Sequence, residues 1–361
     1  MVEVNSDLFK KLRNLLPRDS EAEVPPVKRW ITTTPFEKEW LKNIKLQTDL
    51  DLVFGDQRSL SLATFQSENY LISVGLDLDL AQEDFEEISV NAGIFCAVIC
   101  DLNVNPIGEV ERIAYELLEN VFIPSQSTEA GVSYFLSTVE KYFPKIRIFK
   151  IRTGSPLLDP MPNLLAISLF AVTKCSQLIT LKWSANGLEN ARAISSARDP
   201  FLPFELVLRA IIEKKNTHAF LELYRCIEFL FPFPKINELK KKLKLTLPST
   251  EISELVEETL GWRPTEGAAL KRLFVTLPQE ILSELNKALW PKGNKTEVVS
   301  DKVAELLYRL RNDCVHFRPI QRTSDFQVTV NWELLLQTLL LAISSLYSNH
   351  VGSKHLSCKS D

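Results

Sequence analysis

The sequence contains 361 residues, of which 45% are hydrophobic, 9% aromatic and 24% charged, and its mean hydropathy is −0.02. These proportions are those of globular domains and exclude a fully disordered chain, a collagen-like repeat and a coiled-coil rod. The net charge of −4 and the isoelectric point of about 5.8 exclude a protein that coats nucleic acid through bulk positive charge.

The chain begins with a polar segment that we predict to be an arm or a short helix, ending at Val24-Pro25-Pro26. The pattern of apolar residues then changes once, at Arg198-Asp199-Pro200, from mixed strand and helix spacing to almost continuous helical spacing. We therefore predict an α+β N-terminal domain followed by an all-α helical bundle. The expected divisions are an N-terminal arm (1–27), the α+β domain (28–199), the helical domain (200–349) and a disordered tail (350–361).

Within the α+β domain, short apolar or alternating runs predict strands, and longer amphipathic runs predict helices. The predicted strands are Leu52–Phe54, Tyr70–Leu76, the fully apolar Gly93–Leu102, and Lys145–Ile151. The predicted helices are Gly108–Val121 and Glu129–Tyr142. Polar residues interrupt a further apolar segment, Leu164–Leu181, which we predict to be a buried core helix and not a membrane span.

The helical domain consists of successive amphipathic runs. These are Leu206–Lys214, Ala219–Phe231, Ile252–Leu260, Ala268–Leu277, Glu280–Leu289, Asp301–Phe317 and Trp332–Tyr347. Charge divides at the same point as the pattern, because the net charge is −7 up to Pro200 and +3 beyond it. The basic excess is concentrated in a lysine cluster, which we interpret as a solvated helix face and not as an RNA track. Its members are Lys235, Lys240, Lys241, Lys242 and Lys244.

The six cysteines form no CxxC pair and the histidines show no paired spacing, so the sequence has no zinc signature and we expect no metal or cofactor. Cys96 and Cys100 lie in an apolar run and are predicted to be core thiols. This cysteine pattern is typical of a reducing cytoplasm, and the N-terminus lacks the apolar stretch of a signal peptide. We therefore expect a cytoplasmic protein without membrane contact.

The segment most informative about function is Ser300–Pro319, which its spacing predicts to be a helix that starts at an N-cap serine and ends before the proline. On a helical wheel, Asn312 and His316 fall opposite the core stripe, and Arg311 flanks that stripe. His316 therefore points away from the core of its own domain. The core stripe consists of Val303, Leu306, Leu307, Leu310, Cys314 and Phe317.

The residues around His316 suit acid–base chemistry at a phosphodiester. His316 lies in the last helical turn, where the helix dipole favours the protonated imidazole. Asn312 lies one turn earlier and can hydrogen-bond the ring, while Arg309 and Arg311 supply permanent positive charge. Imidazole titrates near neutral pH, and a guanidinium matches the geometry of a phosphate.

The segment Arg311-Asn312-Asp313-Cys314-Val315-His316 resembles the Arg-polar-x3-His motif of HEPN domains. These are helical domains of many metal-independent ribonucleases in bacterial toxin–antitoxin, CRISPR-linked and abortive-infection systems. Phe220–Phe231 resembles an early long helix of the same domains, and the resemblance covers about Phe201–Tyr347. His316-Phe317-Arg318 lacks the tyrosine that some members carry two residues after the histidine as a site of nucleotidyltransferase modification, so that control is not expected.

The resemblance implies an endoribonuclease that leaves 2′,3′-cyclic phosphate and 5′-OH ends without a metal. It also implies a homodimer in which two copies of the motif form one composite site. By this resemblance His316 would act as general base or general acid, Arg311 would hold the scissile phosphate, and Asn312 would orient the ring or the phosphate. We predict further contacts to the RNA substrate at Arg309, Arg225 and Tyr308.

The sequence leaves the role of each domain open. The α+β domain is expected to sense a trigger, to restrain the nuclease or to bind a regulatory partner protein. The helical domain is either the ribonuclease or a non-catalytic HEPN-like module that serves RNA binding or protein assembly. Glu222, Arg225 and Glu228 recur at a spacing of three, which fits either a solvated face with internal ion pairs or a second wall of an RNA groove.

Overall fold

The structure is a computed structural model that divides into two compact units, Met1–Ile167 and Ser168–Asp361. The first unit contains sheets and helices, and the regular structure described in the second is helical, so the predicted order of an α/β region and a helical region is confirmed. The described residues are 3–16, 27–47, 50–53, 56–80, 84–118, 125–128, 131–158, 163–197, 201–291, 299–315 and 329–351.

The helices of the first unit are α1 (Glu3–Asn14), α2 (Pro35–Asn43), α3 (Ala92–Asp101), α4 (Val110–Leu118) and α5 (Leu136–Val139). Its strands are β1 (Arg29–Ile31), β2 (Lys45–Leu46), β3 (Leu50–Val53), β4 (Arg58–Phe65), β5 (Glu68–Val74), β6 (Phe85–Ile88), β7 (Gln126–Thr128), β8 (Gly131–Tyr134) and β9 (Ile146–Ile151). Helix α6 (Leu164–Val172) spans the division between the units.

The larger sheet has the strand order β2-β4-β5-β9-β6, and β3 also pairs with β4. Neighbouring strands are antiparallel, and Ile148 of β9 lies opposite Ile72 of β5 and Ile88 of β6. The smaller sheet has the order β1-β8-β7, with β1 and β8 parallel. Both sheets therefore depend on pairings between segments that are distant in sequence.

The core of the first unit joins apolar side chains of α1, α3 and α4 to one face of the larger sheet. Trp40 of α2 stacks on Phe65 of β4, with 3.7 Å between the ring centroids. The segment expected to be an arm or a short helix contains α1, and its Leu8, Phe9 and Leu12 belong to this core. The remainder of the predicted arm, from residue 17 to residue 26, lies outside the described residues.

Glu37 connects the starts of α2 and α3. Thr34 and Glu37 form a capping box on α2, in which Glu37 N donates to Thr34 Oγ1 at 3.3 Å and Thr34 N donates to Glu37 Oε2 at 2.6 Å. The other oxygen of the same carboxylate accepts from Ala92 N, the first amide of α3, at 3.3 Å. Gly93 permits this close approach, because a Cβ at that position would lie 1.9 Å from the carbonyl oxygen of Glu37.

The prediction of a buried strand over Gly93–Leu102 is wrong, since this segment forms α3. Asn91 caps the helix, and its Oδ1 accepts from Ile94 N at 3.0 Å. The segment is buried on nearly all sides, so its apolar residues show no period that could separate a buried helix from a buried strand.

The predicted helix Glu129–Tyr142 is wrong over its first part, where β8 pairs with β1 and β7. Helical turns begin only at Leu136 and continue as a 3-10 turn over Glu140–Tyr142. The other predicted strands and the helix Gly108–Val121 correspond to β3, β5, β9 and α4.

The helices of the second unit are α7 (Ala185–Ser195), α8 (Phe204–Ile212), α9 (Asn216–Glu228), α10 (Phe233–Leu243), α11 (Ser249–Leu260), α12 (Glu266–Phe274), α13 (Gln279–Leu289), α14 (Ser300–Val315) and α15 (Trp332–His350). Each amphipathic run predicted beyond Pro200 corresponds to one of them. Among the described residues, no helix combines the length and hydropathy that crossing a membrane requires.

The division between the units lies earlier in the chain than the predicted boundary after Asp199. Helix α7 accounts for the difference, because it packs against α15 and α8 of the second unit. Gly187 N donates to Ser184 Oγ at the start of α7, and the same hydroxyl contacts Gln337 of α15. The predicted tail, apart from His350 and Val351, lies outside the described residues.

Candidate functional site

Helix α14 carries the motif identified in the sequence. Its residues Val303, Leu306, Leu307 and Leu310 are buried, as the helical wheel predicts, and the helix packs against α9, α12 and α13. Because this stripe faces the core, the residue that follows Leu310 emerges where α14 meets the end of α9 and the start of α12.

That residue is Arg311, and its guanidinium lies between carboxylates from two other helices. Nη2 is 3.3 Å from Glu228 Oε1, at the end of α9, and 3.7 Å from Glu266 Oε1, at the start of α12. Nη1 donates to Asn312 Oδ1 at 3.3 Å. The Arg311 side chain is 21% exposed, so the guanidinium is fixed from three directions and still reaches solvent.

Two buried polar atoms lie unsatisfied beside this ion pair. Tyr224, one turn before Glu228 on α9, is 1% exposed, and its hydroxyl has no hydrogen-bond partner within the described residues. The same holds for Oε2 of Glu266, whose other oxygen faces Arg311. We call Arg311, Glu228, Glu266 and Tyr224 the Arg311 cluster.

The surroundings of Glu228 in the Arg311 cluster raise the pKa of its carboxyl. Burial raises the pKa of Glu228; the charge of Arg311 opposes this shift, and the charge of Glu266 adds to it. Burial also raises the pKa of Tyr224, so its hydroxyl keeps its proton at neutral pH. The cluster therefore combines an anion-binding guanidinium with a carboxyl that can take up a proton.

The other predicted site residues are distributed as follows. Asn312 contacts Arg311, and Tyr308 is half-buried one turn earlier. Arg309 is exposed on α14, and Arg225 is exposed on α9, where its Nη1 donates to Glu222 Oε1 at 2.8 Å. The predicted catalytic residue His316 directly follows α14 but lies outside the described residues.

The structure also divides the series Glu222, Arg225 and Glu228. Glu222 and Arg225 form an ion pair within α9, in which Arg225 is exposed and Glu222 is only 15% exposed. Glu228 instead reaches across to Arg311 on α14. Spacing alone predicts contacts within one helix, so the contact between α9 and α14 was missed.

Glu266 and Tyr224 were missed entirely by the sequence reasoning. Glu266 reads as an ordinary acidic residue in the first turn of a helix, which the helix dipole explains without any site. Tyr224 reads as part of the apolar face of α9. Only the packing of α9, α12 and α14 against one another brings these residues to Arg311.

Lys240, Lys241 and Lys242 of the lysine cluster lie in the last turn of α10, where positive charge complements the helix dipole, whereas Lys235 lies near the start of the helix. Lys235 and Lys242 both contact the carboxylate of Glu238, at 3.1 and 2.7 Å. Lys241 and Lys244 are exposed. These contacts are those of a solvated helix face.

Comparisons with known proteins give no relative for this chain: no family model, no curated protein and no solved structure matches it. Within the part of the chain that the structure describes, no group of three or more histidine, cysteine or acidic residues is arranged to hold a metal ion. Functional inference therefore depends on the Arg311 cluster and on the motif that surrounds it.

Proposed function

We propose that the helical unit is a metal-independent endoribonuclease of the HEPN type, acting as a bacterial antiviral or toxin-like effector in the cytoplasm. The observation that carries the proposal is the contact of Arg311 with Asn312 and Glu228. Arg311 lies five residues before His316 in the sequence. A guanidinium that reaches solvent beside a carboxyl that can take up a proton is suited to a phosphodiester.

RNA carries its own nucleophile, so cleavage needs only proton transfer and charge stabilisation. The 2′-oxygen forms a bond to the adjacent phosphorus while the bond from phosphorus to the 5′-oxygen breaks. His316 takes the proton of the 2′-hydroxyl or delivers one to the departing 5′-oxygen. Arg311 holds the phosphate and its developing charge, and Asn312 orients the ring or the phosphate.

In this proposal two protomers meet through the helical unit, and their motifs form one composite site. One His316 then serves as base and the other as acid, and the partner surface excludes water. Arg309, Arg225 and Tyr308 contact the flanking RNA. The N-terminal unit senses a trigger, restrains the nuclease or binds a regulatory partner protein.

The second candidate is a non-catalytic module that binds RNA or assembles with proteins. The observation in its favour is that Arg311 already contacts two carboxylates, as an arginine in a purely structural ion pair does. In that case RNA binding occurs without cleavage.

The first prediction tests RNA cleavage by the full-length protein in the presence of EDTA. We expect cleavage to 2′,3′-cyclic phosphate and 5′-OH ends, and Arg311→Lys and His316→Ala to lower the rate by about 100-fold or more. Arg311→Lys is preferred to alanine because it keeps a cation between Glu228 and Glu266 while removing the planar fork. Products are identified by end-labelling and mass spectrometry.

The matched controls are Arg263→Lys and His218→Ala. Arg263 is an exposed arginine paired with Glu257, and His218 is an exposed histidine at the start of α9. Both controls should cleave at the wild-type rate, and thermal unfolding should show every variant folded. Binding of RNA by the wild-type protein without product from about pH 5 to about pH 8 would instead establish the non-catalytic module.

Expression in bacterial cells gives an independent readout of the same proposal. Wild-type protein should inhibit growth, and His316→Ala should relieve the inhibition. Equal toxicity of wild type and His316→Ala, at equal protein levels, contradicts the nuclease.

A further inference from the structure

The charges of the Arg311 cluster do not balance. One guanidinium faces two carboxylates, so the group carries a net charge of −1 when both glutamates are ionised. The charged groups that face Glu228 are Arg311 from α14, Glu266 from α12 and Arg225 from α9 itself. Arg225 is already paired with Glu222 on the exposed side of α9, so it leaves the excess negative charge at Arg311 in place.

Partial burial strengthens the effect of this excess negative charge. Glu228 is 30% exposed and Glu266 40%, and the Tyr224 hydroxyl beside them is buried without a hydrogen-bond partner among the described residues. Charges at partly buried sites interact more strongly than charges in water and are screened less by salt. A phosphate that approaches Arg311 therefore meets repulsion from the carboxylates unless one of them is neutralised.

Glu228 is the carboxyl that a phosphate at Arg311 displaces most directly, because its Oε1 is nearer to Arg311 Nη2 than the oxygen of Glu266 is. Its side chain is also less exposed than that of Glu266, which disfavours the charged form once this contact weakens. When a phosphate competes for Arg311, the ion pair that keeps Glu228 ionised weakens. The burial that already raises the pKa of Glu228 then acts with less opposition.

We propose that an RNA phosphate binds at Arg311 together with one proton, and that Glu228 holds this proton in the bound state. The carboxyl then no longer repels the phosphate and can donate a hydrogen bond to it. Glu228 is thus a substrate-binding residue that makes RNA affinity depend on pH. This inference rests on the proposed function only in taking RNA as the ligand of Arg311.

The test measures proton uptake on binding of a short 2′-O-methyl RNA, which lacks the nucleophile and is not cleaved. Isothermal titration calorimetry of the full-length protein, in buffers that differ in ionisation enthalpy, counts the protons taken up from about pH 5 to about pH 8. We expect a net uptake of up to one proton per site within this range. Kd should rise with pH where this uptake occurs, by at most about tenfold per pH unit.

The Glu228→Gln variant should take up about one proton fewer than wild type, and its Kd should depend less steeply on pH and be lower than that of wild type at the high end of the range. Glu266→Gln is the matched control, because it removes the other carboxylate at Arg311, and it should retain the pH dependence. Absence of proton uptake by the wild-type protein overturns the proposal whatever the variants do. Equal pH dependence in Glu228→Gln and wild type also overturns it.

These outcomes are distinct from failure of the nuclease. Cleavage of natural RNA, combined with binding of the 2′-O-methyl RNA without proton uptake, overturns the role of Glu228 and leaves the proposed function intact. Proton uptake that depends on Glu228, without cleavage of natural RNA, supports the role of Glu228 and contradicts the nuclease. An absence of RNA binding at every pH overturns the inference.

Discussion

Lys11 is a charged side chain in partly buried surroundings, where its Nζ donates to the carbonyl oxygens of Ile99 at 3.1 Å and Val104 at 2.8 Å. These carbonyls lie at the C-terminal end of α3, where a cation is favourable. Burial lowers the pKa of Lys11 from 10.5 to about 8, because the ammonium group loses hydration. Because of Lys11, the free energy of unfolding of the first unit should change with pH in the alkaline range.

The second prediction is the direction of this pH dependence, and the variant Lys11→Met tests it. Between pH 8 and pH 10.5 the unfolded chain holds a proton on Lys11 that the folded chain has lost, so raising the pH stabilises the folded state. The free energy of unfolding of wild type should rise relative to that of Lys11→Met over this interval. Urea denaturation at several pH values measures the difference.

Lys10→Met provides the control for Lys11→Met, because Lys10 is the adjacent residue and is 65% exposed. Its unfolding free energy, relative to wild type, should stay constant over the same interval. A Lys11→Met difference that falls or does not change with pH contradicts the pKa shift of Lys11.

At the residue scale the sequence predicted one member of the Arg311 cluster, Arg311, together with its contact Asn312. Helical periodicity placed Arg311 beside the buried stripe of α14 and Asn312 opposite that stripe, because both positions depend only on the angle between successive residues. Glu228 and Glu266 lie on other helices, and no local pattern specifies which residue of α9 or α12 reaches Arg311. Such contacts follow from helix packing, which the sequence of one helix does not contain.

The crossing of α2 and α3 gives a prediction at the scale of elements. A Cβ at residue 93 would lie 1.9 Å from the Glu37 carbonyl oxygen, which belongs to the backbone and cannot move aside alone. Gly93→Ala should therefore separate the two helices and destabilise the first unit by about 2 kcal/mol or more. Chemical denaturation measured by near-ultraviolet circular dichroism tests this.

Gly267→Ala is the control for a glycine in a helix without a close neighbour. Apart from its chain neighbours and the backbone of α12 itself, no described atom lies within 4 Å of the position that a Cβ at residue 267 would occupy. This variant should stabilise the second unit by about 0.5 to 1 kcal/mol, through helix propensity alone. Equal effects of the two substitutions would show that the contact with Glu37 does not constrain Gly93.

Prediction of elements succeeded for most helices with one buried face and for the apolar segment that forms α6, and it failed for the buried helix α3. The amphipathic runs of α9, α13 and α14 alternate apolar and polar residues at the helical period, so each was placed correctly. Helix α3 has apolar residues on all sides and gave no such signal. The short strands β7 and β8 are stabilised by partners far along the chain, which periodicity cannot reveal.

At the scale of the whole molecule, the acidic net charge limits how the RNA substrate that we propose can bind. With a net charge of −4, affinity for RNA must come from a few local contacts, among which we propose Arg311, Arg309 and Arg225. Three phosphate contacts on single-stranded RNA give a slope of about −2 in a plot of log affinity against log salt concentration. Fluorescence anisotropy with the 2′-O-methyl RNA measures this slope.

Two variants show where those phosphate contacts lie. Arg309→Gln should make the slope shallower by about 0.7, because it removes one contact. Neutralising Lys240, Lys241 and Lys244 together should leave the slope unchanged if the lysine cluster is a solvated face. A shallower slope in the lysine variant would identify α10 as part of the RNA path.

The order of the two units could be predicted from sequence, because the change from mixed to helical spacing is a property of long segments. Their boundary could not, since α7 precedes the change in composition and yet packs on α15. Assigning a helix to a unit requires knowing what its apolar face covers.

The shared carboxylate of Glu37 has a consequence for how the first unit opens. Its two oxygens accept from the amides of Thr34 and Ala92, which lie at the starts of different helices. If the start of α2 frays, Ala92 N loses its acceptor, and if the start of α3 frays, the Glu37 carboxylate loses one of its two donors. We therefore expect hydrogen exchange at these two amides to be coupled, even though the first residues of α2 and α3 lie more than fifty positions apart in the chain.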